Sequence, residues 1–192
     1  MKLPPSLVHK RYASPLGPIV LGASDLGLAL CCFDDHRALP DFMQHQDAHA
    51  ASEHPVLRQA SRQLKEYFEG QRQHFDLPLD AGNGTAFQQS VWQALLKIGY
   101  GHTCCYADVA TAIGKPSAVR AVGAAVGANP LSILVPCHRV IGSDGSLTGY
   151  AGGLERKTFL LQLESGHSVG GRAGSLCVAA VFPAISQQGT LL

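Results

Sequence analysis

One thiol in this chain is placed where a nucleophile could be mounted. Ile133-Leu134-Val135-Pro136-Cys137-His138-Arg139-Val140-Ile141 is an apolar run that delivers a cysteine and follows it at once with an imidazole and a guanidinium. Pro136 fixes its own φ and carries no N–H, so a stiff, buried mount is expected. Cys137 then has two readings. It is core filler, because cysteine is among the residues most often buried, or it is a nucleophile whose thiolate an adjacent base helps to form. Residue types alone leave both open. The other thiols are Cys31, Cys32, Cys104, Cys105 and Cys177, with two adjacent pairs and no CxxC spacing. Neither a zinc site nor a dithiol redox site is written locally. Cys31 and Cys32 lie in an apolar run and read as small core or edge residues.

Three further stretches could do chemistry. His36, His45, His49 and His54 crowd one polar segment, but no helical i, i+4 pair among them is framed by other ligands, so a solvated loop is expected. Thr148-Gly149-Tyr150-Ala151-Gly152-Gly153 is glycine-rich and would let backbone approach a ligand closely. No GKS or GKT follows, so it is not a phosphate loop. Ala118 to Ala128 is built almost wholly of small residues, with one long cation, Arg120. Such a helix either packs tightly against neighbours or lies deep in a DNA groove and extends a single arginine.

The elements that must position these residues follow from periodicity and breakers. Leu7–Ala13, Ile19–Ala23 and Leu28–Phe33 read as strands, the last two joined at Asp25-Leu26-Gly27. Pro55 opens a helix with Val56, Leu57, Ala60, Leu64, Tyr67 and Phe68 at helical spacing and Gly70 as its stop. Phe75–Leu79 reads as a short extended piece. Asp80-Ala81-Gly82-Asn83-Gly84 reads as a flexible linker. Thr85 is a candidate cap for a helix bearing Phe87, Val91, Leu95 and Ile98, with Trp92 beside the stripe. Tyr106–Ile113 and Ala118–Ala128 are short helices separated by Gly114 and Lys115-Pro116-Ser117, a loose helix-turn-helix signature. A last helix runs from Leu154 to about Glu164. The expected organisation is an N-terminal domain of residues 1–82, a C-terminal domain of residues 83–166, and a tail of residues 167–192.

The totals bound the class. The chain has 192 residues, 46% hydrophobic and 15% charged, with a net charge of +1, a globular composition. Residues 1–82 carry a net −2 and residues 83–164 a net +2, a weak lean of the second half toward an anion. No apolar run approaches the roughly 20 residues of a membrane span, and Met1-Lys2-Leu3-Pro4-Pro5 leads into no signal region. Free thiols then fit a reducing compartment.

Taken in order, several motifs resemble one family. These are Ser14-Pro15-Leu16-Gly17, Thr85-Ala86-Phe87-Gln88-Gln89-Ser90-Val91-Trp92, Tyr106, Arg120-Ala121-Val122-Gly123, Asn129-Pro130, Pro136-Cys137-His138-Arg139-Val140 and Tyr150-Ala151-Gly152-Gly153-Leu154. Over residues 8–166 the chain resembles the O6-alkylguanine-DNA alkyltransferases (methylated-DNA–protein-cysteine methyltransferases) of bacterial single-chain type. The resemblance implies an α/β (α+β) protein. Its N-terminal domain would be a small ribonuclease H-like unit of sheet plus helix. Its C-terminal domain would be helical, with a winged-helix-like helix-turn-helix. It implies irreversible transfer of the alkyl group from O6-methylguanine, and O4-methylthymine, in duplex DNA to Cys137, once per molecule. By the same resemblance His138 is the general base acting through a water, and Glu164 orients it. Asn129 ties the helix-turn-helix to the active segment, and the thiolate of Cys137 waits poised. Tyr106 displaces the target phosphate and donates to the flipped base. Arg120 fills the gap that the base leaves, with Lys115, Ser117, Ala121 and Gly123 on the DNA side. Val140, Tyr150, Ala151 and Lys157 surround the base.

The resemblance implies no cofactor, no metal (Ser24 stands at one of the zinc-ligand positions of some vertebrate members), a monomer on the minor groove, no membrane, and a cytoplasmic home, or a nuclear one in a eukaryote. Two rival classes remain distinguishable. A damage binder that marks lesions without reacting carries Trp in place of the acceptor, and Cys137 argues against it. A Cys–His hydrolase would turn over.

Overall fold

The computed structural model describes residues 7–36, 39, 43, 54–82 and 84–166. Three antiparallel strands open the chain: β1 (Val8–Ser14), β2 (Gly17–Ser24) and β3 (Gly27–Phe33), in the order β1-β2-β3. Helix α1 (Pro55–Phe68) packs on them with Leu57, Ala60, Leu64 and Tyr67 buried, and Gly70 ends it in the left-handed region at φ 72°. These elements stand where the runs between turn residues and the helical spacing put them.

β3 is buried at every position, because it has partners on both edges and cover on both faces. Beyond β2, its free edge takes Leu28 N–H to Pro78 O at 2.8 Å and Cys31 N–H to Pro130 O at 2.8 Å, while Cys31 O accepts from Ser132 N–H at 2.7 Å. An edge strand is thereby closed. Cys31 faces the main core. Cys32 faces a small second cluster with Val20, Leu30, Leu39 and Met43. Leu39 and Met43 are buried, so the segment expected to be a solvated loop carries apolar anchors, while His45 and His49 lie outside the described residues.

The stretch expected to be a flexible linker is tied down instead. Asp80 accepts from Ser24 Oγ at 2.6 Å, and Gln89 Nε2 donates to the carbonyls of Gly82 and Gly84 at 3.0 Å each. A Cβ on Gly84 would sit 2.3 Å from the Trp92 ring, so glycine there serves a close approach. Asn83 lies outside the described residues.

Helix α2 (Ala86–Leu95) starts at a full capping box, in which Thr85 and Gln88 satisfy each other's backbone N–H groups. α3 (Tyr106–Ala112) and α4 (Val119–Gly127) form the helix-turn-helix, with Gly114 at φ 71° between them. Val122, Ala125 and Val126 turn inward on α4, and Trp92 Nε1 donates to Ala125 O at 2.9 Å. Small side chains permit that reach to the backbone. Arg120, Ala121 and Ala124 are left exposed on the other face.

One pairing was not visible in the sequence. β4 (Cys104–Cys105) and β5 (Val140–Ile141) pair in parallel, Cys104 with Val140 and Cys105 with Ile141. Two-residue strands leave no periodicity to read. Their pairing sets the Cys137 segment directly against the start of α3. α5 (Leu154–Ser165) closes the fold. Among the described residues, no helix is long and apolar enough to cross a membrane, and no group of three or more His, Cys, Asp or Glu is arranged to hold a metal ion.

Candidate active site

Cys137 is held at the end of two tight turns. Leu134 N–H donates to Ser132 O at 2.9 Å around Ile133, whose φ is 73°. That is the rare γ-turn, strained for any L-residue and more so for a β-branched one. Cys137 N–H then donates to Val135 O at 2.8 Å around Pro136, at φ −80° and ψ 64°, the common inverse γ-turn. Ile133, Leu134, Val135, Val140 and Ile141 are all buried, so the apolar flanks form the stiff mount expected of them. The strain at Ile133, of order 1–3 kcal/mol, persists because packing on every side over-determines it. Cys137, His138 and Arg139 form one turn of 3-10 helix.

Burial pushes the Cys137 thiol above its ordinary value. Acting against burial are a hydrogen bond from Asn129 Nδ2 to Sγ at 3.1 Å, the charge of Lys157, and the backbone amides of Cys137 and His138. The poised thiolate is therefore corrected: the resting group is a protonated thiol, and forming the thiolate requires a base. Cys31 and Cys104 are also pushed up, Cys104 to about 12, with acids and other thiols adding to burial rather than opposing it. Cys137 alone of these three has donors arranged to stabilise its anion.

Glu164 is at the centre of the charged cluster. His138 Nε2 bonds its Oε1 at 2.8 Å, Arg139 Nε donates to Oε2 and Nη2 to Oε1, both at 2.8 Å, and Tyr67 donates to Oε1 at 2.7 Å. The Glu164 and His138 side chains are fully buried. Burial pushes the Glu164 carboxyl up, but the bonds and charges of His138 and Arg139 outweigh it and hold the group well below the usual carboxylate range. Burial keeps His138 below its ordinary value, so its imidazole is neutral near pH 7. A neutral base beside a protonated thiol is the arrangement in which a proton can be taken on demand. His138 Nδ1 is buried with no hydrogen-bond partner among the described residues.

The remaining site residues fall into two groups. Asn129, Val140, Tyr150 and Lys157 join the buried centre. Asn129 Nδ2 also donates to Val135 O at 2.9 Å, and its Oδ1 accepts from Leu131 N–H. Lys157 Nζ donates to the carbonyls of Val140 and Thr148 at 2.6 Å each, and burial lowers its pKa to about 8. The Tyr150 hydroxyl is buried beside Cys137, Cys31 and Ser132. Tyr106, Arg120 and Gly123 instead line an open cleft of about 410 Å³ with Cys105, Gly142 and Thr148. Lys115, Ser117, Ala121 and Ala151 are exposed, and Lys115 lies over the Phe87 ring at 5.6 Å.

The sequence and fold comparisons agree on one relationship. Family models described as 6-O-methylguanine DNA methyltransferase match the chain twice, the ribonuclease-like domain over residues 7–81 and the DNA binding domain over residues 86–166. The methylated-DNA–protein-cysteine methyltransferase of Methanosarcina barkeri is 48% identical over 155 residues, covering 79% of this chain and 92% of that protein. The chain belongs to the 6-O-methylguanine DNA methyltransferase family. The crystal structure of Mycobacterium tuberculosis O6-methylguanine methyltransferase superposes with a TM-score of 0.75 at 40% identity, over 86% of this chain and 97% of that one. Mycobacterium tuberculosis OGT in complex with DNA gives 0.73 at 42% identity, over 82% and 92%. The fold is thus the mixed α/β architecture expected, with a small sheet unit and a helical unit.

Sequence reasoning missed four residues of this 6-O-methylguanine DNA methyltransferase fold. Arg139 was visible in the motif but had no role, and it grips Glu164 at two points. Tyr67 looked like one more residue of an apolar stripe. Thr148 connects the two groups, its Oγ1 donating to the Tyr106 hydroxyl at 3.3 Å and its carbonyl accepting from Lys157. Arg156 clamps the halves of the chain, with its guanidinium 4.1 Å from the Phe33 ring centroid and bonds to Asp35, Leu16 O and Gly152 O. Gly152 must lack a side chain, since a Cβ would lie 2.7 Å from Phe33 and 2.8 Å from Tyr150. No local signal marks Tyr67, Thr148 or Arg156, because their partners lie in distant segments.

Proposed function

We propose that this protein repairs DNA by direct reversal, moving the alkyl group of O6-methylguanine in duplex DNA onto its own Cys137. One observation carries the reading: a buried thiol with anion-stabilising donors lies next to a neutral His138 fixed by Glu164, in a chain of this family. His138 takes the thiol proton through a water at Nδ1. Sulfur attacks the alkyl carbon in line, the S–C bond forms, the C–O6 bond breaks, and the electron pair stays with the base. The proton returns to the base, giving guanine and S-alkylcysteine. A thioether has no easy leaving group, so each molecule reacts once, and no cofactor takes part. O4-methylthymine is the second substrate.

The DNA side is the helix-turn-helix. The slim outer face of α4 lies in the minor groove, about 6 Å wide. Arg120 enters the stack as the base flips out, offsetting part of a cost of a few kcal/mol. Lys115, Ser117, Ala121 and Gly123 border the contact. Tyr106 displaces the target phosphate and donates to the flipped base, easing the leaving group. Val140, Tyr150, Ala151 and Lys157 shape the base pocket, and Asn129 ties α4 to the Cys137 segment. Residues 1–82 and 83–166 act as the two domains, with 167–192 as a tail lying outside the described residues. The protein works as a monomer in the cytoplasm.

Intact-mass measurement after incubation with a duplex containing O6-methylguanine tests this. One added methyl, mapped to Cys137, is expected, and Cys137→Ala should still bind the duplex and gain nothing. Binding without a mass change would leave only a damage binder, and more than one equivalent repaired per molecule would mean a turnover enzyme.

A further inference from the structure

Tyr67 belongs to α1, in the N-terminal half, yet its hydroxyl donates to the same Glu164 oxygen that bonds His138. Its ring is fully buried, edge-on to Phe68 and Tyr100 with centroids at 5.5 and 6.1 Å, and tilted against Phe75 at 5.5 Å. Those contacts bury the ring, and the hydroxyl is held by its bond to Glu164. A phenylalanine would make the same packing, whereas a buried hydroxyl is unfavourable unless paired. Here its partner is the carboxylate that holds the base. We propose that Tyr67 is a positioning residue for alkyl transfer, orienting Glu164 toward His138, so that the N-terminal half tunes the base of a reaction carried out in the C-terminal half. The proposal rests on the alkyl-transfer reading above.

The groups around Glu164 set the sign of the effect. Tyr67 reaches it from α1, Tyr100 and the Gly101 N–H from the segment after α2, and His138 and Arg139 from the 3-10 helix. Lys157 acts on His138 from α5. Every donor to Glu164 draws carboxylate charge away from the imidazole. Removing the Tyr67 donor leaves more negative charge facing His138 and favours the imidazolium. His138 must be neutral to accept the thiol proton, so the acid limb of the rate profile moves to higher pH. The orientation of Glu164 also loosens, and the plateau rate falls.

The test is the pH profile of methyl transfer from an O6-methylguanine duplex, read by intact mass in single-turnover time courses. For Tyr67→Phe the acid limb should rise by about one pH unit and the plateau rate drop roughly tenfold. Phe68→Leu, which disturbs the same aromatic cluster without touching Glu164, should leave the limb in place. Site-specific 3-fluorotyrosine at position 67 is the second arm, needed if Tyr67→Phe does not fold. A more acidic phenol donates more strongly and should lower the limb. An unmoved limb in both Tyr67 arms, with the unmutated protein transferring normally, overturns this role alone. An equal shift in Phe68→Leu overturns it as well. An unmutated protein that transfers no methyl would overturn the proposed function itself, and this role with it.

Discussion

Asn129 shows how much one side chain does here. Its amide N–H₂ donates to Val135 O and to the Cys137 sulfur, and its carbonyl takes the Leu131 N–H. It is buried, at 3% exposure, so no water replaces it without rearrangement. Asn129→Ala should strand a buried N–H and a buried carbonyl, lowering stability by about 1–3 kcal/mol. It should also raise the thiol further, because the donor opposing burial is gone. Denaturant titration reads the first effect. Slower carboxymethylation of Cys137 by iodoacetate in the folded state, mapped by peptide mass, reads the second. The neighbouring thiols, which lack this donor, should be unaffected.

Among the elements, α4 and the β4–β5 pair divide the work. Inward Val122, Ala125 and Val126 fix α4 against α2 and α3, while the outward face stays thin and bears one long cation. The parallel pairing brings the Cys137 turn against the first residue of α3, Tyr106. In the proposed role, Arg120 acts on the duplex and not on the alkyl group. Arg120→Ala should therefore slow repair of duplex O6-methylguanine by about ten- to a hundredfold and leave reaction with a free O6-alkylguanine base nearly unchanged. Single-turnover rates on the two substrates check this, and equal losses on both would remove the finger role.

In the whole molecule, the two halves share one charged centre and one sheet edge. Tyr67 and Glu164, Arg156 and Asp35, and Cys31 with Pro130 and Ser132 all cross between them. Stability should therefore be acid-sensitive as a unit. His138 has a folded pKa below its unfolded value near 6.5, so unfolding takes up a proton there as pH falls below that point. Glu164 is depressed when folded, so its contribution is present above about pH 4.3 and is lost below it. Both act in the same direction. The denaturant midpoint should be flat near pH 7, decline below about pH 6.5, and fall steeply below about pH 4. Glu164→Gln should be less stable at pH 7, because Arg139 then lies buried without its carboxylate, with a shallower acid decline. Unfolding followed by Trp92 fluorescence across pH measures both.

The sequence by itself determined the elements that rest on neighbours a few residues away. Short runs bounded by turn residues gave β1 to β3, an apolar stripe gave α1 and α2, Thr85 gave a cap, Gly70 and Gly114 gave helix ends, and the order of short motifs around Pro136-Cys137-His138-Arg139 gave the family. Only the tertiary structure decided what depends on distant partners. It turned a supposed flexible linker into a bonded segment, because Gln89 and Trp92 close over it. It joined β4 to β5, too short to leave a pattern. It made Cys137 a resting thiol rather than a thiolate, because burial is a property of the whole packed core and outweighs what any adjacent residue contributes. It also placed Tyr67, an ordinary member of a helical stripe, on the carboxylate of Glu164, a contact between residues 97 positions apart.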